Sequence, residues 1–237
     1  MSEHASLENT LLSLSEAFDY TFNDLSLLQT AVQHRSWQAE NAAVDSNERL
    51  EFLGDAVLGW VVADIAFRQF VDLPEGRLTD LRKSVVNANA LAQLARNVGL
   101  GSAVMLGKGE GAAGGSDKTS ILSDAFEAVI GAIYVDGGAD AAYRAVERLL
   151  LPAMREALPN IDRLDFKTVL QEQAARLGVD APAYTVKSIG PDHEKEFTAT
   201  VHVGDVTSSG VGRSKKSAEQ VAAELASRKL GELLDGA

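Results

Sequence analysis

The sequence predicts two domains of different class, a helical N-terminal domain followed by a smaller α+β domain. Up to about Ala157, apolar residues recur at three- and four-residue spacing, as at Leu50, Leu53 and Val57, which is the periodicity of an amphipathic helix. Residues 195–203 instead alternate between apolar and polar side chains, which is the period of a half-buried strand. The chain length of 237 residues allows one large domain or two small ones, and the change of period favours two.

The N-terminal domain is predicted to be all-α and to occupy residues 1–157. Glycines follow its periodic segments, and a glycine just after the last apolar position is a typical helix stop. A strongly apolar helix is expected from Ile121 to Val135, ending at Gly137 and Gly138. A further helix is expected from Ala139 to Ala157.

The C-terminal part is predicted to be a linker over residues 158–164 and an α-β-β-β-α domain over residues 165–234. Asp165 is a plausible N-cap for the first helix, which should end at Gly178. The predicted strands are Tyr184–Ile189, Lys195–Val203 and Asp205–Val211, and the last helix is expected to start near Ser214.

Composition excludes several functional classes. The chain has no cysteine, which excludes disulfides, thiolate zinc sites and a cysteine nucleophile. Its most apolar stretch, Ala56 to Phe67, is interrupted by Asp64 and is too short to span a bilayer, and the N-terminus lacks a signal-peptide pattern. We therefore expect a soluble cytoplasmic protein with no membrane attachment. The formal net charge of −12, taken alone, argues against a nucleic-acid binder.

Acidic residues recur on one face of a predicted helix. Glu48, Glu51 and Asp55 lie at positions i, i+3 and i+7, so their carboxylates should line the same side of the helix. Like charges at this spacing repel each other and cost stability. Most acidic residues on helices are simply solvated, so this spacing alone names no reaction.

A second acidic pair, Asp124 and Glu127, lies inside the apolar segment SILSDAFEAVIGAIYVD. Two carboxylates in such surroundings are costly unless a cation neutralises them. Carboxylate oxygens without cysteine or histidine suit a hard cation, so the two acidic groups predict a site for Mg²⁺, which Mn²⁺ can replace.

Seven ordered segments of the sequence resemble the ribonuclease III family of double-stranded-RNA endonucleases. NERLEFLGD and SILSDAFEAVIGAIYVDGG are similar to its two acidic motifs, Leu73 to Leu78 to its E-G-x-L segment, and QHRSW to its T-H-x-S-[YF] segment. FKTVLQEQ, GPDHEKEF and GRSKKSAEQVAAELA are similar to segments of a double-stranded-RNA-binding domain. The resemblance extends from about Phe18 to Leu230 and implies an all-α catalytic domain followed by an α+β RNA-binding domain.

The resemblance implies roles for six acidic residues. The metal ligands would be Glu51, Asp55, Asp124 and Glu127, with Asp55 and Glu127 essential for chemistry. Glu48 and Glu75 match two further acidic positions along the RNA-facing cleft. The implied reaction is Mg²⁺-dependent hydrolysis of double-stranded RNA, leaving 5′-phosphate and 3′-hydroxyl ends with short 3′ overhangs. Ribosomal RNA precursors and structured transcripts would be the substrates. The alternatives are a catalytically silent double-stranded-RNA-binding regulator and a metal-binding helical protein unrelated to RNA.

The resemblance also implies a homodimer, in which Phe52 inserts into the partner subunit. A core position for Phe52 explains the residue equally well at this stage. For His34 we favour a structural role over a catalytic one, because no partner motif accompanies it.

Three regions of the second domain are expected to face RNA, again by resemblance. The residues are Thr168, Gln171 and Glu172 on the first helix, Pro191 and His193 in the loop between the first two strands, and Ser214, Lys215 and Lys216 at the start of the last helix. Such domains read the A-form shape and 2′-hydroxyl groups more than the base sequence.

The glycine-rich stretch from Gly107 to Gly115 is not a nucleotide-binding loop. It lacks the Gly-Lys-[Ser/Thr] sequence that cradles phosphates in a Walker A motif. We therefore predict no nucleotide cofactor and interpret the stretch as a mobile connection, with Lys108 or Lys118 as possible RNA contacts.

Overall fold

The computed structural model describes residues 3–162, 166–190 and 195–235. The chain divides into two compact units, Met1–Ala157 and Leu158–Ala237. The first unit is helical and the second combines a three-stranded sheet with two helices, so the predicted fold class is confirmed. No described helix is both long and apolar enough to cross a membrane.

Among the described residues, the first unit contains eight α-helices. They are α1 (Glu3–Ala17), α2 (Leu25–Ala31), α3 (Arg35–Glu40), α4 (Glu48–Gln69), α5 (Glu75–Val85), α6 (Ala88–Asn97), α7 (Lys108–Ala112) and α8 (Thr119–Asp162). Side chains cap three of them: Asp24 accepts the Ser26 amide at 3.0 Å, His34 accepts the Ser36 amide at 3.2 Å and Asn87 accepts the Ala90 amide at 3.1 Å.

Helix α8 has two arms that meet at Gly138, whose φ of 77° is left-handed. The predicted helix stop is therefore a kink between two helical arms. The second arm continues to Asp162, so residues 158–162 of the predicted linker are helical. A proline inside a helix removes one backbone hydrogen bond and crowds the preceding turn, yet α8 continues past Pro159. The remaining linker residues and the expected cap Asp165 lie outside the described residues.

The first arm of α8 forms the centre of the helical unit. It is buried on almost all sides, and the ring of Phe126 packs against that of Phe18 with centroids 5.5 Å apart. The side chains buried along this arm are Ile121, Leu122, Ala125, Phe126, Ala128, Val129, Ile130, Ala132 and Ile133. Their burial holds the acidic residues of the same arm at a fixed position.

Helices α4 and α8 cross in direct backbone contact at two glycines. A methyl group at Gly54 would overlap the carbonyl oxygen of Glu127, and a methyl group at Gly131 would overlap the carbonyl oxygen of Leu50. Only hydrogen fits between the two backbones at either position. This close approach sets the separation between the acidic faces of the two helices.

The second unit is an antiparallel sheet covered on one face by two helices. The helices are α9 (Phe166–Leu177) and α10 (Lys215–Asp235), and the strands are β1 (Ala183–Ile189), β2 (Glu196–Val203) and β3 (Val206–Gly212), in the order β1-β2-β3. Ala199 and Val201 of β2 pack against Leu170 of α9 and Ala222 of α10. The alternating residues of β2 face the core as predicted, and all three predicted strands lie within one residue of the observed ones.

Replacing Gly131 with alanine should destabilise the helical unit by roughly 3 kcal/mol, because the added methyl group meets backbone atoms that no rotamer change can move. Gly59→Ala is the matched control, since Gly59 lies on α4 with open space around it. It should leave stability unchanged or raise it by up to about 1 kcal/mol through helix propensity. Urea unfolding followed by circular dichroism measures both changes. Equal stability of the two variants would contradict the tight crossing.

Candidate active site and RNA-binding surface

Three carboxylates from two helices come together in the helical unit. Glu51 on α4 and Asp124 and Glu127 on α8 each place one oxygen within 4.8 Å of the other two. All three side chains are half-buried. We call Glu51, Asp124 and Glu127 the acidic cluster. Three oxygen ligands at this spacing fit one hard divalent cation, and the bound charge would offset the mutual repulsion of the carboxylates.

The acidic cluster is electrostatically strained without a cation. Burial raises the pKa of Glu127 to about 7, with further contributions from the negative charges of Asp55, Asp124 and Glu51. Burial also raises the pKa of Glu51, and the charges of Asp124 and Glu48 add to this effect. The surroundings therefore disfavour the ionised carboxylates until a positive charge arrives.

The remaining acidic residues of α4 lie beside the acidic cluster. Asp55 is exposed and is not one of the three residues that converge, although its charge is the largest electrostatic influence on the pKa of Glu127. Glu48 lines the same cleft as Glu51 and accepts a hydrogen bond from the Ser46 hydroxyl at 2.9 Å. Of the four expected metal ligands, the structure thus brings three within mutual reach.

Glu75 lies apart from the acidic cluster. It is the first residue of α5 and is exposed, and its carboxylate accepts a hydrogen bond from the Thr79 hydroxyl at 3.0 Å. None of the described contacts of Glu75 joins it to the cluster.

A cleft of about 620 Å³ opens beside the acidic cluster. Its lining residues are His34, Arg35, Ser36, Ala39, Asn47, Glu48, Glu51, Glu110, Lys118, Ser120, Ile121 and Asp124. Sequence reasoning did not single out Arg35, Asn47, Glu110 or Ser120. They come from four separate stretches of the chain, so no local pattern could have joined them.

The glycine-rich stretch is folded onto the cleft, so its interpretation as a mobile connection is wrong. Residues Lys108–Ala112 form α7, whose first amide donates to Glu40 Oε1 at 2.8 Å. Lys118 Nζ pairs with Glu110 Oε1 at 2.5 Å. A methyl group at Gly107 would meet the Ser36 carbonyl oxygen at 2.5 Å, so this glycine serves close packing.

His34 has the structural role that the sequence suggested. Its Nδ1 accepts the backbone amide of Ser36 at 3.2 Å and so caps α3, while its own amide donates to the Met105 carbonyl at 3.1 Å. Burial lowers the pKa of His34, which favours the neutral ring that such a cap requires.

Phe52 is 82% exposed on α4, although it lies between Glu51 and Leu53 of the signature segment. The reading of Phe52 as a core residue of its own protomer is therefore wrong. Leaving so much of a phenylalanine side chain in contact with water costs free energy unless another surface covers it.

The expected RNA-facing residues of the second unit are exposed wherever the structure describes them. Thr168, Gln171 and Glu172 are exposed along α9, and Ser214, Lys215 and Lys216 are exposed at the start of α10. Pro191 and His193 lie outside the described residues. Ser214 Oγ accepts the Ser217 amide at 3.1 Å and so caps α10.

Two features hold the start of α10 in place. A methyl group at Gly212 would lie 2.6 Å from the Ala218 amide nitrogen, so β3 and α10 approach closely because this position lacks a side chain. Lys167 of α9 pairs with Glu219 of α10 at 2.8 Å and lies over the Tyr184 ring at 4.5 Å. The exposed faces of α9 and α10 are thus fixed relative to each other.

Glu127→Gln should stabilise the metal-free protein at alkaline pH. The pKa of Glu127 rises from 4.5 to about 7 on folding, so the folded state binds more protons between these values and its stability falls as the pH rises through this window. Glutamine has no proton to lose. In EDTA, the variant should melt above the wild type at pH 8 and close to it at pH 4.5.

Asp140→Asn is the control for this melting experiment, since Asp140 is exposed on the second arm of α8 and outside the acidic cluster. It should show no such pH-dependent difference. A Glu127→Gln variant whose melting temperature tracks the wild type at both pH values would contradict the raised pKa.

Comparisons with known proteins agree with both units. A family model described as Ribonuclease-III-like matches residues 24–154, and one described as double-stranded RNA binding motif matches residues 166–230. Ribonuclease 3 of Streptomyces coelicolor is 52% identical over 206 residues, covering 86% of this chain and 75% of that protein. Ribonuclease 3 of Thermobifida fusca is also 52% identical, covering 84% of each chain.

Solved structures show the same relationship. The nuclease domain of ribonuclease III from Campylobacter jejuni is 40% identical, with a TM-score of 0.55, and the match covers 60% of this chain and 93% of that one. A second structure of that domain, described for flexibility in a region involved in dimer formation, is 39% identical with a TM-score of 0.54, covering 59% of this chain and 97% of that one. With its catalytic-type helical unit and its double-stranded RNA binding motif in this order, the chain belongs to the ribonuclease III family.

Proposed function

We propose that the chain is an endonuclease that hydrolyses double-stranded RNA with a divalent metal ion held by the acidic cluster. The observation that carries this proposal is the convergence of the three half-buried carboxylates, with one oxygen of each within 4.8 Å of the others. Membership of the ribonuclease III family supports the reaction, and the double-stranded RNA binding motif supports the substrate.

The ion is Mg²⁺, and Mn²⁺ can replace it. The ligand set is made only of carboxylate oxygens, which hard cations of this type prefer. When bound, the ion polarises a phosphoryl oxygen and lowers the pKa of water, which gives a nucleophile at neutral pH. Glu51, Asp124 and Glu127 hold it, and the raised pKa values of Glu51 and Glu127 in its absence couple metal binding to proton release.

Asp55 belongs to the catalytic set in this proposal. It is exposed beside the acidic cluster and acts electrostatically on Glu127, so it is placed to interact with groups that enter from solvent. Glu48 lines the cleft and would face the RNA. The role of Glu75 rests on the resemblance of its segment alone.

The products are 5′-phosphate and 3′-hydroxyl ends with short 3′ overhangs. Such staggered cuts require two sites related by symmetry, one for each strand. We therefore propose a homodimer in which the exposed ring of Phe52 is buried by the partner. A two-fold interface is the commonest oligomer geometry.

The second unit supplies affinity for the duplex. Lys215 and Lys216 are exposed at the start of α10, where the helix N-terminus adds its own positive potential, and both favour phosphate. Thr168, Gln171 and Glu172 offer polar groups to the minor groove. We expect the shape of A-form RNA to be recognised, with little sequence preference.

Ribosomal RNA precursors and structured transcripts are the proposed substrates, and the cytoplasm is the proposed place of action. Nothing in the described residues favours a catalytically silent regulator, since three of the four expected metal ligands converge and the fourth, Asp55, lies beside them. A metal-binding protein unrelated to RNA is excluded by the double-stranded RNA binding motif.

Glu127→Gln should abolish cleavage and leave RNA binding intact. Losing one ligand of the ion removes several kcal/mol of transition-state stabilisation, so the single-turnover rate on duplex RNA should fall by roughly a thousandfold with Mg²⁺ present. Duplex affinity depends on other residues and should stay within about twofold. Gel assays of cleavage and of binding measure the two quantities.

Asp140→Asn, which removes an exposed carboxylate outside the cluster, is the control and should cut like the wild type. Chelation by EDTA should stop cleavage by both the wild type and the control. Normal cleavage by Glu127→Gln would exclude the assigned metal site, and cleavage of single-stranded RNA at the same rate would exclude the proposed substrate.

Replacing Lys215 and Lys216 together with glutamine should weaken binding to long duplexes. Binding releases counterions from the RNA wherever a lysine neutralises a phosphate, and the double variant would release fewer. The slope of log affinity against log salt should therefore become shallower by roughly one per lysine. Lys187→Gln is the control, because Lys187 is exposed on β1 and outside the predicted RNA-facing residues. An unchanged slope in the double variant would exclude the start of α10 from the binding surface.

A further inference from the structure

We propose that the guanidinium of Arg35 binds an RNA phosphate group in the cleft next to the acidic cluster and so helps to place the strand for cutting. The proposal rests on the proposed function and assigns to that site a residue that neither the acidic motifs nor the RNA-binding motif contains. Arg35 occupies the variable position of the QHRSW segment, between the capping residue His34 and Ser36.

The position of Arg35 supports this role. It is the first residue of α3, is exposed, and lines the same cleft as Glu48, Glu51 and Asp124. Two of these carboxylates belong to the acidic cluster. A strand whose scissile phosphate reaches the cluster therefore carries its neighbouring phosphates along the wall that contains Arg35.

The charge of Arg35 is available to a ligand. Lys118, another basic side chain of the cleft, is held by Glu110 at 2.5 Å. His34 uses Nδ1 for its cap, and burial lowers its pKa. In the described part of the chain, the ion pairs within 4.0 Å do not include Arg35. Its guanidinium is thus free to present its planar fork of donors, whose geometry matches phosphate oxygens.

Arg35 lines the same cleft as Glu51 and Asp124, and no ion pair among the described residues joins it to either of them. Because Arg35 does not pair with these carboxylates, both the carboxylates and the guanidinium remain available to bind ligands. The carboxylates can then hold a cation while the guanidinium meets the anionic backbone of the RNA.

A simpler role for Arg35 is to offset part of the negative charge of the cleft. The two roles predict different behaviour. A phosphate contact adds to RNA affinity and to its salt dependence. A charge-balancing arginine leaves both unchanged, and its removal increases affinity for Mg²⁺ because the carboxylates lose a repelling neighbour of the ion.

The test compares Arg35→Gln, Arg35→Lys and the control Arg155→Gln in the full chain. Arg155 is exposed on α8 and does not line the cleft. Binding of a duplex RNA is measured in a Glu127→Gln background, so that the RNA stays intact, over a range of salt concentrations. Single-turnover cleavage and its Mg²⁺ midpoint are measured in the otherwise wild-type chain.

Arg35→Gln should weaken binding about tenfold, which is the order expected for a lost charge-assisted contact, and should make the salt slope shallower by about one. Cleavage at low RNA concentration should fall by a similar factor. Arg35→Lys should keep the slope, because it keeps the charge, and should recover only part of the affinity because it lacks the fork. Arg155→Gln should match the wild type, and all variants should melt within a few degrees of it.

Unchanged affinity and salt slope in Arg35→Gln would overturn the proposal, and a lower Mg²⁺ midpoint in the same variant would identify the charge-balancing role instead. Should Arg35→Gln fail to fold, Arg35→Lys decides alone, and full affinity in that variant contradicts recognition by the fork. A wild-type chain that binds duplex RNA but does not cut it with Mg²⁺ refutes the proposed function and leaves the binding result for Arg35 standing.

Discussion

The backbone contact between α4 and α8 at Gly54 and Gly131 is the constraint on which the candidate active site depends. Each glycine faces a backbone carbonyl of the other helix, so a side chain at either position would force the helices apart. Glu51 lies one turn before Gly54, and Glu127 lies one turn before Gly131. The crossing therefore fixes how far the carboxylate of one helix stands from those of the other.

The close approach of these carboxylates has an electrostatic cost, and the packing of the buried α8 arm holds them in place against it. Burial of the first arm of α8 holds Asp124 and Glu127 among apolar neighbours, which raises the pKa of Glu127 to about 7. A protein without function at this position gains nothing by holding three carboxylates within 4.8 Å of one another. Rigid packing and unfavourable charge together produce a site that is ready for a divalent cation and unfavourable without one.

Much of the fold and the centre of the site could be predicted from sequence, because the signals are local. The spacing of Glu48, Glu51 and Asp55 on one helix, the apolar surroundings of Asp124 and Glu127, and the alternation in β2 each need only a few consecutive residues. The contact between the two acidic helices is different, since it joins residues that are far apart in the chain. Gly54 and Gly131 carry that information, but a glycine within a helix does not reveal what lies against it.

The interpretations that the structure corrects depend on contacts between segments that are far apart in the chain, and a local sequence pattern does not show such contacts. The glycine-rich stretch suggested mobility, yet Gly107 and Gly115 allow close packing against Ser36 and Glu110, and the segment forms one wall of the cleft. The resemblance placed Asp55 among the metal ligands. Helix periodicity puts Asp55 on the same face as Glu51, but it does not tell how far its carboxylate is from another helix. For Phe52 the sequence left two interpretations open, a core position and a contact with a partner subunit, and its exposure excludes the first.

Diffraction from crystals soaked in Mn²⁺, recorded at the manganese absorption edge, tests the metal site most directly. The predicted result is one anomalous peak per protomer coordinated by carboxylate oxygens of Glu51, Asp124 and Glu127, with the α4–α8 crossing at Gly54 and Gly131 unchanged. A peak bound elsewhere, with these three carboxylates free of metal, would contradict the assignment of the acidic cluster as the centre that holds the catalytic ion.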